Sequence, residues 1–170
     1  MKEAPDIKVI SSDVVTALLD NAAQSERRRA HLNVHEQLDA DVQRLFIATQ
    51  PETYMRPHRH QEAHKWEFFI VLEGKLDLLL FDDSGRLTRR VTLSADSNRA
   101  VEVPPGTWHA YVCMARDSLA LEVKQGAYLP TSEDDFAPWA PAEKNEGAER
   151  CQQWLRSAQP GQRFDPPPGS

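Results

Sequence analysis

The chain has 170 residues, enough for one compact domain with a real core rather than two. Its formal charge of −6 leaves no cationic excess to neutralise phosphates, which excludes a general nucleic-acid binder. Cys113 and Cys151 stand far apart with no CxxC pairing, so neither a disulfide scaffold nor a thiolate zinc site is indicated. No apolar run reaches membrane length and Met1–Asp6 has no signal-peptide apolar core, so the expectation is a cytoplasmic protein with no membrane partner.

Ser11-Ser12-Asp13 offers N-cap chemistry ahead of Val14, Val15, Leu18 and Leu19, which predicts a helix from Asp13 to Arg28. The run Arg27-Arg28-Arg29 either complements that helix's C-terminal dipole or forms a positive wall near a ligand entrance. Residues 30–40 mix polar and apolar positions and read as irregular. From Val42 the period changes, and strands are predicted at Val42–Thr49, Thr53–His58, Lys65–Leu72, Lys75–Phe81, Leu87–Leu93, Ala100–Val103, Ala110–Met114 and Ser118–Lys124. Asp82-Asp83-Ser84-Gly85 and Glu73-Gly74 supply hairpin turns. Many short strands behind one helix indicate an antiparallel sandwich or barrel.

After Gly126 the composition changes. The proline-rich segment through Pro141 is expected to pack Phe136 and Trp139 on the barrel wall, and Glu143–Ala158 reads as a helix with Cys151, Trp154 and Leu155 on one side. The organisation expected is an N-terminal helix and arm (1–29), a β-barrel (30–128), a wrapping segment with a helix (129–158) and a disordered tail (159–170).

The chemistry gathers in Tyr54-Met-Arg-Pro-His58-Arg-His60, Glu67 and Pro104-Pro-Gly-Thr-Trp-His109. Residues two apart on an extended chain leave the same face, so His58 and His60 reach one site together. Glu67 shares a face with Phe69 and Val71 on the next strand, and a Pro-Pro-Gly turn delivers His109 from another. Three imidazoles and a carboxylate suit one divalent transition metal with coordination positions left open. Such a set accepts iron, manganese, nickel, zinc or copper. His64 competes with Glu67 as the fourth ligand, and Glu67 alternatively orients a ligand histidine from outside the coordination sphere. Tyr111 shares parity with His109 and is a candidate general acid, against the alternative of a packed wall tyrosine. Arg56 shares parity with the histidines and is a candidate for an anionic substrate group, whereas Arg59 points outward. Trp66, Phe68, Ile70 and Leu72 make the far face of the Glu67 strand as apolar as the near one. The N-terminal helix, the Phe136–Pro141 segment or a second subunit must cover that face, and a homodimer is the expectation.

The arrangement His58-x-His60, Glu67-x6-Gly74 and Pro104-x-Gly106-x-x-His109 resembles the two signature motifs of the cupin superfamily. The loop between His60 and Glu67 is longer than usual in that family, and Cys113 stands where an asparagine is common. A narrower resemblance runs over residues 27–143 and includes Asn33, His35, Gln43-Arg44-Leu45, Trp66-Glu67, Glu122-Val-Lys124 and Phe136-Ala-x-Trp-Ala-Pro141. This set is similar to the WbuC family of cupin-fold metalloproteins, named from bacterial polysaccharide (O-antigen) gene clusters. The resemblance implies an all-β fold: a cupin-type double-stranded β-helix (jelly-roll) barrel with an N-terminal helix and a short C-terminal helical extension. It also implies that Asn33, His35, Arg44, Glu122 and Lys124 line a small-molecule pocket. The functional expectation is a metal-dependent enzyme acting on a small polar, sugar-derived metabolite. The alternatives are a non-catalytic metal-dependent binding or sensor module and a metal-free barrel whose histidines contact a ligand directly. Metal-independent sugar epimerases use such barrels with a histidine–aspartate base, which the HxH-plus-Glu set argues against.

Overall fold

The computed structural model describes residues 7–165. Helix α1 spans Ser12–Gln24, with the Ser11 hydroxyl accepting from Val14 N–H at 3.4 Å. It stops short of the predicted Arg28 because Ser25 leaves the helical region and Arg28 N–H turns back to the Ser25 carbonyl. The Arg28 guanidinium bonds the Ala23 carbonyl, satisfying one of the helix's C-terminal acceptors.

Eight strands follow: β1 (Arg29–Asn33), β2 (Val42–Thr49), β3 (Glu67–Glu73), β4 (Lys75–Phe81), β5 (Leu87–Ser94), β6 (Ala100–Val103), β7 (Trp108–Cys113) and β8 (Ser118–Gln125). Strand β1 lies in the stretch expected to be irregular; its pairing with β2, Arg29 opposite Thr49 through Asn33 opposite Leu45, overrides its polar composition. The ladders between these strands are antiparallel, forming a five-stranded sheet in the order β1-β2-β8-β3-β6 and a three-stranded sheet in the order β5-β4-β7. Residues 54–60 are extended but not a regular strand. They flank β7 through reciprocal bonds between His58 and His109, His58 N–H to the His109 carbonyl at 2.9 Å and the reverse at 2.8 Å. At the β3–β4 turn Gly74 has φ +74°, and a Cβ there would run into Ser118.

The two sheets face each other across Ile47, Phe69, Val71, Leu76, Leu78, Leu93, Val103, Tyr111, Cys113 and Ala120. Each sheet's outer face is met by one end of the chain. Helix α1 lays Leu18 and Ala22 on Ala48 and Leu119 of the five-stranded sheet. Helix α2 (Ala148–Ser157) lays Cys151 and Leu155 over Leu79, Phe81, Leu87, Ala110 and Val112 of the three-stranded one. Each buried leucine or phenylalanine in this layer contributes about 1.5–3 kcal/mol, so apolar burial is one of the forces that hold α2 in place.

The expected disordered tail is packed as far as it is described. Phe164 is buried against Trp154, Leu87 N–H bonds the Gln162 carbonyl, and Arg163 bridges Arg86. A buried aromatic and an edge to pair with outweigh the Pro/Gly composition. Residues 166–170, like the N-terminal 1–6, lie outside the described residues.

Cys113 and Cys151 are both free and fully buried. Burial pushes the Cys151 thiol up to about 11 and raises that of Cys113 as well. Neither is expected to react with a disulfide reagent at pH 8 until denaturant is added; rapid titration of Cys151 in the native protein would contradict the packing of α2, and of Cys113 the packing between the sheets.

Candidate metal centre

The ligating atoms of His58, His60, Glu67 and His109 lie within 4.8 Å of one another at one end of the space between the sheets. The turn Pro104–Gly106, tied to the His60 carbonyl by Gly106 N–H at 2.7 Å, sets His109 at the start of β7. His58 and His60 come from the extended segment beside β7, and Glu67 from the first position of β3.

Hydrogen bonds at the back of two rings select which nitrogen faces the centre. Nδ1 of His58 donates to the Arg56 carbonyl at 3.0 Å, and Nδ1 of His109 to the Thr107 carbonyl at 2.8 Å. Each bond leaves an Nε2 lone pair directed inward, the usual way a ligating imidazole is oriented. His60 Nε2 lies 2.8 Å from Glu67 Oε1. His109 Nε2 and Glu67 Oε2 approach to 2.9 Å without the alignment of a hydrogen bond, and both atoms are buried with no other partner. Apart from the His60–Glu67 contact, the donor atoms crowd round a common point without pairing, as they would round a cation. The residues present therefore fit a divalent metal.

The electrostatics agree. Burial, then His109, pushes the His58 imidazole down to about 3, which keeps it neutral and able to ligate. Burial works against the Glu67 carboxylate, yet His109, His60 and Lys124 hold its carboxyl well below the usual range. Burial also opposes charge on His109, but Glu67 overrides it and raises that imidazole. A buried carboxylate here calls for positive charge beside it.

Next to the four ligands, Glu122 and Lys124 of β8 make part of the five-stranded sheet's inward face polar. Lys124 Nζ lies 2.8 Å from Glu122 Oε1 and 3.7 Å from Glu67 Oε1. Burial raises the Glu122 carboxyl, with Glu67 adding to it. Tyr111 stacks on Phe69 at 3.9 Å between ring centroids, and its buried hydroxyl has no hydrogen-bond partner. Asn33 is exposed on the inward side of β1, two residues from His31. His31 belongs to the WbuC-like stretch Arg28-Arg29-x-His31-x-Asn33-x-His35 without being an expected pocket residue, and the alternation Arg29-x-His31-x-Asn33 puts it on the same face. Crowding by protein, followed by Arg29, Arg27 and Lys124, pushes its imidazole down to about 4.

Three of the expected pocket residues lie elsewhere. Arg56 binds the Ala140 carbonyl at 2.9 Å and Glu133 at 3.0 Å, and its guanidinium sits 4.6 Å over the Phe136 ring. These partners occupy its guanidinium, so parity with His58 does not bring Arg56 to the centre. His35 is buried with Nδ1 accepting from Arg44 N–H at 3.1 Å, which pins the loop between β1 and β2. Arg44 itself pairs with Val123 on the outer side of the sheet. His64 is not in the ligand group and rests against Gly126. Arg59 faces away from the centre, over the Trp108 ring at 4.3 Å. The Arg27–Arg29 run is neither fully solvated nor open, since Arg27 and Arg29 both grip Glu143 from the C-terminal segment.

Among the described residues no helix is long and apolar enough to cross a membrane. The sequence-family model that matches, over residues 10–93, is described as a domain of unknown function (DUF6016). No curated protein matches the chain in sequence. Among solved structures, the capsular polysaccharide assembling protein CapF from Staphylococcus aureus is similar at a TM-score of 0.51 and 17% identity, over 63% of this chain and 29% of that one. KdgF from a Halomonas species is similar at 0.49 and 17%, over 62% and 85% of the two chains. A Cupin 2 conserved barrel domain protein from Salinispora arenicola is similar at 0.44 and 16%, over 60% and 79%. With two antiparallel sheets closing on His58, His60, Glu67 and His109, the chain has the cupin-type jelly-roll fold, carrying a helix against the outside of each sheet.

Proposed function

We propose that this chain is a metal-dependent enzyme acting on a small polar metabolite, and that sugar-derived compounds are the first class to test. The observation that carries the proposal is the convergence of four protein ligands whose buried Glu67 Oε2 and His109 Nε2 have no aligned partner. Four ligands leave positions open on a metal that takes five or six. Bound there, the metal supplies a Lewis-acid centre for a substrate oxygen. The chain's own residues then bind and orient. The Tyr111 hydroxyl is free to donate to or accept from a ligand, and the Lys124–Glu122 pair offers a charged donor beside a carboxylate. Sugar-derived substrates are favoured by the sequence's likeness to WbuC, named from polysaccharide gene clusters, and are in keeping with the similarity to CapF, a capsular polysaccharide assembling protein.

Elemental analysis of anaerobically purified protein is expected to find about one transition-metal ion per chain in wild type, and a small fraction of that in Glu67→Gln. A panel of sugars, sugar acids and polyols is then expected to contain a compound that is turned over only by metal-loaded protein. Metal retained undiminished by Glu67→Gln would remove Glu67 from the ligand set. Ligand-induced stabilisation with no product from any compound would replace the enzyme by a binding module.

A further inference from the structure

Helix α1 covers only part of its sheet. Its apolar contacts are with Ala30, Leu32, Phe46, Ala48 and Leu119, on β1, β2 and the start of β8. The rest of that outer face carries Leu121 and Val123 of β8 and Phe68, Ile70 and Leu72 of β3, none of which belongs to the α1 cluster. Leu72 is 40% exposed. An antiparallel sheet facing water on this side would carry polar residues at these positions.

The strand register adds charge to this band. Arg44 lies opposite Val123, Val123 opposite Phe68, and Phe68 opposite Glu102, so the four form one row across β2, β8, β3 and β6. The next row is Phe46, Leu121, Ile70 and Ala100. Each row is apolar in the middle, and the first ends in an exposed cation on one side and an exposed anion on the other. Among the described residues neither Arg44 nor Glu102 has an ion-pair partner. Three interstrand steps separate the two ends, about 14 Å. A half-turn about an axis lying between the two copies, parallel to the strands and passing over the gap between Val123 and Phe68, exchanges those ends. It lays apolar centre on apolar centre and cation on anion.

We infer that this face is the interface of a symmetric homodimer, in which Val123 packs on the partner's Phe68, Leu121 packs on the partner's Ile70, and Arg44 pairs with the partner's Glu102. A two-fold interface is self-complementary by construction, and a row with opposite charges at its ends meets that condition where like charges would not. The pairing also gives Arg44 a place that the pocket does not.

Sedimentation velocity on the full chain over a range of concentrations provides the test. Wild type is expected to be a dimer. Arg44→Glu and Glu102→Arg are each expected to weaken it by about tenfold or more, since each sets like charges against each other twice. The double variant restores opposite signs at both contacts and is expected to return to within about threefold of wild type. All substitutions are at exposed positions, and circular dichroism checks that each variant folds. A concentration-independent monomer, a dimer indifferent to both single swaps, or single variants that the double does not rescue would each overturn the interface.

Discussion

Replacing His109 with alanine is expected to abolish tight metal retention and to erase the metal's contribution to thermal stability. His109 is 1% exposed, its Nδ1 is held by the Thr107 carbonyl, and its Nε2 has no hydrogen-bond partner in the protein. Disturbing groups behind the ligands typically costs 10–100-fold in affinity, so losing a ligand is expected to cost at least about 100-fold. Binding at 1,000 times the dissociation constant stabilises a fold by about 4 kcal/mol, and a 100-fold weaker site forfeits about 2.7 of that. For a chain of this size the loss corresponds to roughly 5–10 °C in Tm. The readout is the difference in Tm between chelator-treated and metal-supplemented protein, measured for each variant separately. That difference cancels the cavity the substitution itself creates. Tyr111→Phe, which keeps all four ligands, is expected to retain most of the metal-dependent shift. Equal shifts in wild type and His109→Ala would mean that the cation binds elsewhere.

The second large effect is expected far from the metal. Arg90 on β5 bonds Asp77 at 2.7 Å and the carbonyls of Leu155, Arg156 and Ala158 at 2.9, 2.8 and 3.0 Å. It thereby satisfies the C-terminal acceptors of α2 and joins that helix to the sheet beneath. Arg90→Ala strands Asp77, whose side chain is 5% exposed, and leaves three carbonyls without this donor. Removing one member of a buried pair costs about 3–5 kcal/mol, or roughly 10 °C in Tm here. Adding Asp77→Ala to Arg90→Ala is expected to recover part of the loss, because no buried charge is then left alone. A single-variant loss under about 1 kcal/mol in a denaturant titration would show that α2 is held by apolar contacts alone.

Sequence periodicity made the strands from Val42 onward and the four convergent side chains legible, because both depend on alternation along short extended segments. It failed where long-range pairing decides. Strand β1 looks irregular in isolation, and only its ladder with β2 makes it a strand. Arg56 has the parity of His58, but the Ala140 carbonyl and Glu133 of the C-terminal segment take its guanidinium, and no local pattern reveals them. Arg44 has the parity of the outer face, but that face is defined by its pairing with Val123, which no local pattern reveals. Phe164 sits in a tail whose composition suggests disorder, and it orders because Trp154 and β5 are there to receive it. The grip of Arg27 and Arg29 on Glu143 likewise joins residues more than a hundred positions apart.

The layer of α2 and Phe164 over the three-stranded sheet bears on how the chain is made. On the ribosome the four ligating side chains have all emerged once residue 109 has, whereas Trp154 and Phe164 come much later. Throughout that interval Leu79, Phe81, Ala110 and Val112 lack Cys151, Leu155 and Phe164, which complete the cover on their outer side. The nascent chain thus gathers its ligands early and shields its stickiest surface late, and its exposure to aggregation ends only when the last turn of chain arrives.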